Sequence, residues 1–163
     1  MEIAIISDTH IPSRAREIPP AFVDRIREAD HVIHAGDFDS TGALANINAL
    51  ATELTAVAGN MDRNMALPPV ATVELEGQEF VVTHGAGSRR GYERRVTSLV
   101  KEHRTSEDAI GVSGHTHEAR DTTHDGVRLL NPGSATAAAP AEFATMLTVS
   151  FESGTPHVRV HSL

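Results

Sequence analysis

Short apolar runs alternate along this chain with stretches whose apolar residues recur at helical spacing. Ile3-Ala4-Ile5-Ile6 predicts a buried strand over 2–7. Pro19-Pro20 then opens a helix from Ala21 to Ala29, with Phe22, Val23 and Ile26 on one face. A second strand is predicted over 31–35. A helix follows over 40–50, carried by Leu44, Ile47 and Leu50, and then a third strand over 53–58. This βαβαβ order predicts a parallel sheet.

Beyond residue 70 the pattern changes. Val70 to Glu76 and Glu79 to Thr83 flank a Glu76-Gly77 turn and read as an antiparallel hairpin. Tyr92 to Glu102 reads as one helix with Val96, Leu99 and Val100 inward. Strands are predicted at 109–113 and 118–123, and His124-Asp125-Gly126 turns the chain into Val127 to Leu130. The segments 143–151 and 156–161 form a last hairpin around Ser153-Gly154. The architecture predicted from these elements is two packed sheets flanked by helices. No repeat, linker or low-complexity tract divides the 163 residues, so one domain over 1–163 is expected.

Composition narrows the chemistry. Cysteine is absent, so no disulfide or thiolate site exists and any metal must be held by nitrogen and oxygen. The net charge of −8 argues against a broad nucleic-acid surface or binding to an anionic membrane. No stretch approaches the length of a membrane helix, and no basic-then-apolar signal opens the chain. A cytoplasmic protein is expected.

The ends of the apolar runs carry the chemistry. The first leads into Asp8-Thr9-His10, and Val32-Ile33 leads through His34 and Gly36 into Asp37. The run 54–58 leads into Gly59-Asn60, and Phe80 to Thr83 leads into His84. Ala109 to Val112 leads into Gly114-His115-Thr116-His117. Open α/β sheets bind ligands beyond the carboxyl ends of their strands, where all five clusters fall. In extended chain, residues i and i+2 project to one side, which would pair Asp8 with His10 and His115 with His117. Gly36, Gly59, Gly85 and Gly114 permit sharp turns beside them.

Seven side chains are too many for one ion: Asp8, His10, Asp37, Asn60, His84, His115 and His117. Two divalent ions sharing a carboxylate would use them all. The mixed imidazole and oxygen set suits manganese foremost, with nickel, iron, cobalt or zinc as alternatives. Two ions, two carboxylates and one hydroxide leave a site about one unit positive, which favours an anionic phosphate ester.

These motifs, in this order, resemble the series of the calcineurin-like metallophosphoesterases: Asp8-x-His10, Gly36-Asp37, Gly59-Asn60-x-Asp62, His84-Gly85 and Gly114-His115-Thr116-His117. Asn131-Pro132-Gly133-Ser134 further resembles the small single-domain bacterial and archaeal phosphodiesterase branch. The resemblance implies a four-layer α-β-β-α sandwich of two mixed β-sheets. It implies that Asp8, His10 and His117 hold one metal, that Asn60, His84 and His115 hold the second, and that Asp37 bridges. His10, Asp37 and Asn60 would then carry catalysis, and a hydroxide bridging the ions would attack phosphorus in line. Many members place a histidine directly after the motif asparagine; here Met61 stands there and cannot donate a proton. Some carry a second histidine where this chain has Ala86.

Other roles compete at single positions. His34 reads as a packed or supporting histidine rather than a ligand. Asp39 and Asp62 read equally as caps or as residues that orient ligands. Arg14, Arg89, Arg90, Arg94 and Arg95 read as a solvated face before they read as a phosphate clamp. Three functions follow in order: a phosphodiesterase acting on a small phosphate ester, a phosphomonoesterase, and a protein-interaction scaffold like the retromer subunit of this fold. Self-association into a homo-oligomer is compatible with each.

Overall fold

Alternation along the first strand decides the layering. The computed structural model describes residues 1–163, in which β1 spans Glu2–Ile6. Ile3 and Ile5 point into a core between two sheets, while Ala4 and Ile6 point the other way, under two helices. Those helices are α1 (Pro20–Glu28) and α2 (Thr41–Leu50), and they alternate with β2 (His31–His34) and β3 (Leu54–Ala56). Both crossovers return parallel: Ile3 pairs with His31, and Val32 with Leu54. Ser40 caps α2, its hydroxyl accepting from the Ala43 amide at 3.0 Å, a contact worth about 1 kcal/mol.

The second sheet comes from β4 (Val70–Leu75), β5 (Gln78–Thr83), β6 (Ile110–Val112), β7 (Ala119–His124) and β8 (Val127–Pro132). Its order is β4-β5-β6-β8-β7, with parallel β5·β6 and β6·β8 pairs between antiparallel edges. The chain then returns as β9 (Thr145–Glu152) and β10 (Thr155–Ser162), which complete the first sheet as β10-β9-β1-β2-β3. Helix α3 (Tyr92–His103) covers the outer face of the second sheet through Val96 and Val100, against Val81 and Leu129. Phe80, Val82, Ile110, Val112 and Leu130 meet Ile3, Ile5, Leu147 and Val149 in the middle layer. The architecture is therefore α-β-β-α with two mixed sheets, as the resemblance implies.

Three tight turns obey their sequences. Glu76-Gly77, Asp125-Gly126 and Ser153-Gly154 all have positive φ at both residues, as two-residue hairpins of right-handed twist require. The third strand is shorter than predicted. Its apolar run continues to Ala58, but the Ala58 amide bonds Pro68 O at 2.9 Å and leaves the ladder.

His34 sits wholly buried at the end of β2, its ring stacked on Phe38 at 3.6 Å. Its Nδ1 accepts from the Gly36 amide at 3.1 Å, so Nε2 carries the proton and donates to Thr9 Oγ1 at 3.2 Å. It is thus a packed histidine tying the loop after β1 to the loop after β2. Burial pushes its pKa down to about 3. The unfolded chain binds a proton there below about pH 6.5, and the folded chain does so only near pH 3. Stability contributed by neutral His34 is therefore complete above pH 6.5 and lost progressively as pH falls. Between pH 7 and pH 5 the loss is about 2 kcal/mol. Urea denaturation of metal-free protein at both pH values should show His34→Gln losing about that much less than wild type across the interval.

Candidate metal centre

The carboxyl ends of β1, β2, β3, β5 and β6 lie along one edge, and the loops leaving them meet there. Asp8 and His10 follow β1, Asp37 follows β2, Asn60 follows β3, His84 follows β5, and His115 and His117 follow β6. Asp8, His10, Asp37, His84 and His117 are all buried, whereas His115 is half-buried and Asn60 exposed.

The i, i+2 pairing arises from loops and not from extended strand, contrary to the expectation. Asp8 and His10 have φ of 52° and 45°; His115 and His117 have 71° and 60°. Asp37 and Asp39 share the left-handed region at 62° and 76°. Six of the ten non-glycine residues with positive φ thus belong to this one edge. Each costs roughly 1–3 kcal/mol, least for Asp and His, and the surrounding hydrogen bonds must hold them. Glycine is required where loops touch. A Cβ at Gly59 would overlap the Asp37 carboxylate, and one at Gly114 would overlap Ser7 Oγ and stand 2.6 Å from Asp8 Oδ2.

The side chains form two groups that share Asp8. Ligand atoms of Asp8, His10 and His117 lie within 4.8 Å of one another, and so do those of Asp8, Asp37 and His84. Asp8 Oδ1 is 3.3 Å from His117 Nε2, 3.7 Å from His10 Nε2 and 3.9 Å from His84 Nε2. Asp37 Oδ2 lies 3.2 Å from His84 Nε2 and 3.6 Å from His10 Nε2, so it too faces the interior of the cluster. On the open side, Asn60 Oδ1 stands 3.1 Å from both His84 Nε2 and His115 Nδ1.

The outward nitrogens fix the inward ones. His84 Nδ1 donates to Ala35 O and His117 Nδ1 to Ala138 O, each at 2.7 Å, while His10 Nδ1 faces Asp39 Oδ1 at 2.9 Å. His115 Nε2 donates to Gly87 O at 2.7 Å. In the neutral rings of His84, His115 and His117 the inward nitrogens are therefore lone pairs. His115 Nδ1 faces an amide oxygen, and His117 Nε2 lies 3.2 Å from His10 Nε2. Buried Asp8 Oδ1 has no hydrogen-bond partner. Acceptors aimed at acceptors around an orphaned carboxylate oxygen are a donor set for cations, and the residues fit divalent metal.

The field has the same sign. Burial opposes ionisation of Asp8, but the close imidazoles of His10 and His117 outweigh it and hold the carboxyl well below its usual range. Burial likewise opposes ionisation of Asp37, and its hydrogen bond to His84 brings the pKa below normal. Burial disfavours charge on His10 and His84, yet the neighbouring carboxylate, Asp8 foremost in one case and Asp37 in the other, raises both above the ordinary value. An environment that draws protons onto two buried imidazoles also draws cations.

Supporting residues were only partly foreseen. Asp62 is a scaffold for the ligand loops: its carboxylate accepts from the amides of Asp37, Phe38, Asp39 and Gly59 at 2.7–3.0 Å. Asp39 orients His10. Asn131 directs Nδ2 at Gly114 O, Thr116 Oγ1 and Tyr92 Oη, while Ser134 Oγ donates to Asp8 O at 2.8 Å. The Asn-Pro-Gly-Ser signal therefore marked loop bracing. Tyr92, in sequence only the first residue of a helix, is a further brace: burial pushes its phenol up to about 12, and it binds Ser113 Oγ and Gly114 O. The arginines brace as well. Arg89 holds Glu118 and Thr116 O, Arg95 holds Gly85 O and Ser88 O, and Arg14 holds Ala139 O.

Two mixed sheets between helices, with imidazole and carboxylate groups converging at a shared carboxyl edge, define an α/β protein with a candidate metal site. The chain belongs to the calcineurin-like phosphoesterase superfamily, whose domain model matches residues 1–154. It is 38% identical over 138 residues to a probable metallophosphoesterase of Methanothermobacter thermautotrophicus, covering 83% of this chain and 78% of that protein. A probable metallophosphoesterase of Methanocaldococcus jannaschii is 37% identical over 83% of this chain and 69% of its own length. Among solved structures, a Thermotoga maritima protein superposes with a TM-score of 0.76 at 28% identity, covering 99% of both chains. Vps29 of Chaetomium thermophilum gives 0.80 at 19% identity, over 99% of this chain and 96% of that one, a likeness of fold.

Asp62→Asn replaces one acceptor oxygen with a donor facing backbone amides. It should lower stability by about 2–4 kcal/mol and weaken divalent-cation binding roughly 10–100-fold, read by denaturation and by calorimetric titration.

Proposed function

We propose that this protein is a metal-dependent phosphodiesterase working with two divalent cations, manganese foremost. The observation that carries the reading is Asp8 Oδ1, buried, without a donor, and facing three imidazole nitrogens. Asp8, His10 and His117 would hold one cation and Asn60, His84 and His115 the other, with Asp37 facing both. When bound, such a pair supplies Lewis acidity at phosphorus and activation of water.

The chain's own groups do the rest. Asp39 keeps the His10 ring oriented, and the Ala35 and Ala138 carbonyls fix His84 and His117 with their Nε2 atoms inward. Asp62 and Ser134 lock the loops so that the ligand atoms need little rearrangement. Exposed Asn60 and half-buried His115 leave one side of the cluster open to a substrate. Met61 follows Asn60, is 46% exposed and carries no proton. No acid of the chain replaces it there, so departure of the alcohol depends on the alcohol's own acidity.

The relatives' names support hydrolysis of phosphate esters, and the open cluster supports diesters over small monoesters. An interaction scaffold is the competing reading, since several structural neighbours are Vps29 proteins. The intact ligand set argues against it.

Protein equilibrated with manganese should take up two ions per chain and cleave bis(p-nitrophenyl) phosphate. His84→Ala should lower kcat/KM about a hundredfold or more. Wild type that binds no stoichiometric metal and cleaves no ester would overturn the reading in favour of the scaffold. Across aryl methyl phosphates, log kcat should fall steeply as the leaving phenol's pKa rises. A flat line would show that a side chain donates the proton after all.

A further inference from the structure

The cluster has an open cavity on each side. One, of about 470 Å³, is lined by Asn60, Met61, Arg63 and Met65. The other, of about 400 Å³, is lined by Thr116, His117, Pro140, Glu142 and Phe143. The sheet order places them on opposite flanks of β1: residues 60–65 follow β3, beyond β2, and residues 140–143 precede β9, on the other side. Each cavity contains a side chain of the candidate metal centre, Asn60 in one and His117 in the other. Each also contains one of the five large apolar side chains that the surface exposes, Met61 at 46% and Phe143 at 59%.

Phe143 is not carried by a loose loop. The segment 134–139 is fastened to the ligand loops by Ser134 Oγ to Asp8 O, Thr136 Oγ1 to Thr9 O, His117 Nδ1 to Ala138 O and Arg14 to Ala139 O. On the far side of Phe143, the Leu163 amide binds Ala144 O and the Thr145 amide binds Ser134 O. An exposed phenyl ring held on both sides, sharing a cavity with a ligand histidine, is a stacking surface with nothing of the chain to stack upon it. Arg89 in the same cavity is paired with Glu118 at 2.8 Å, so unpaired Glu142 sets the sign there and disfavours a second anionic group, while a planar uncharged group meets no such penalty.

We propose that Phe143 is a specificity-determining residue that stacks against a planar aromatic substituent, aryl or nucleobase, of a phosphodiester whose phosphoryl group lies at the metal centre. The second substituent of the diester extends into the opposite cavity, over Met61. This subsite rests on the phosphodiesterase reading above, and it commits that reading to aromatic diesters.

Binding of slowly hydrolysed diesters to the manganese-loaded protein tests it by calorimetry. Diphenyl phosphate should bind wild type more tightly than diethyl phosphate. Phe143→Ala should weaken diphenyl phosphate roughly three- to tenfold and leave diethyl phosphate unchanged, and Phe143→Tyr should retain the wild-type value. Phe143 is largely exposed, so these variants keep the fold. If wild type binds and hydrolyses diesters but Phe143→Ala binds diphenyl phosphate as wild type does, the subsite is refuted and the phosphodiesterase reading stands. If wild type neither binds nor cleaves any diester, both fall together. Adenosine 5′-monophosphate titrated into the same pair of proteins separates the nucleobase source from the aryl one: a Phe143-dependent affinity supports the nucleobase, and its absence confines the stacking to aryl esters.

Discussion

Everything at the functional edge turns on one buried carboxylate. Asp8 is wholly inaccessible, one of its oxygens is held by the His115 amide, and the other faces only imidazole nitrogens. An isolated charge of this kind is among the most costly things a protein can bury. It persists because positive charge is available to it, as protons on His10 and His84 or as bound cations. The backbone supports the same arrangement at a price of its own, in the run of positive-φ residues that turns each ligand inward. Cation binding and folding are therefore coupled: whatever favours the occupied centre adds to the stability of the native state by mass action.

Stacking of the sheets makes the convergence possible. Ligands from β1 and β2 belong to one sheet and those from β5 and β6 to the other. They meet because Ile3, Ile5, Phe80, Val82 and Leu130 hold the two sheets face to face with their carboxyl ends aligned. The cross-links at the edge run between the sheets as well. The His115 amide binds Asp8, His84 Nδ1 reaches Ala35 O, and Ser134 Oγ reaches Asp8 O. The middle core and the centre thus fix each other's geometry.

Much of this was legible in the sequence, for identifiable reasons. Periodicity found the strands and helices because the faces of β1, α1 and α3 are cleanly divided between layers, as Ile3 and Ile5 are from Ala4 and Ile6. The seven side chains of the centre were visible because each follows an apolar run, and a run ending at a polar residue marks a strand end. The conformation that presents them was not. Asp8 and His10 lie in left-handed loops, and no propensity distinguishes that from an extended Asp-x-His. The supports were only half legible: the sequence leaves Asp62 equally a cap and a residue that orients ligands, and only the fold shows four backbone amides converging on it. The arginines were ambiguous for a further reason. Their partners, such as Thr116 O and Gly85 O for Arg89 and Arg95, are carbonyls, which leave no trace in sequence.

The two halves of the centre differ in exposure, and that difference orders the site. Asp8 and His10 are closed off in the interior and buried His117 reaches only the edge of the Phe143 cavity, whereas Asn60 and His115 reach the surface beside Met61. The buried trio is the costly one to leave without positive charge, since water cannot screen it. The outer pair is screened and reachable from solvent. Met61 lies beside this opening and Phe143 on the opposite flank of the cluster, and neither carries a titratable group. On the proposed reading, apolar contact at these two side chains would add to what the centre itself does in orienting the phosphoryl group. This division leaves the chemistry tied to a rigid, buried set of ligands, while the choice of ester rests with exposed side chains that can change without disturbing the fold.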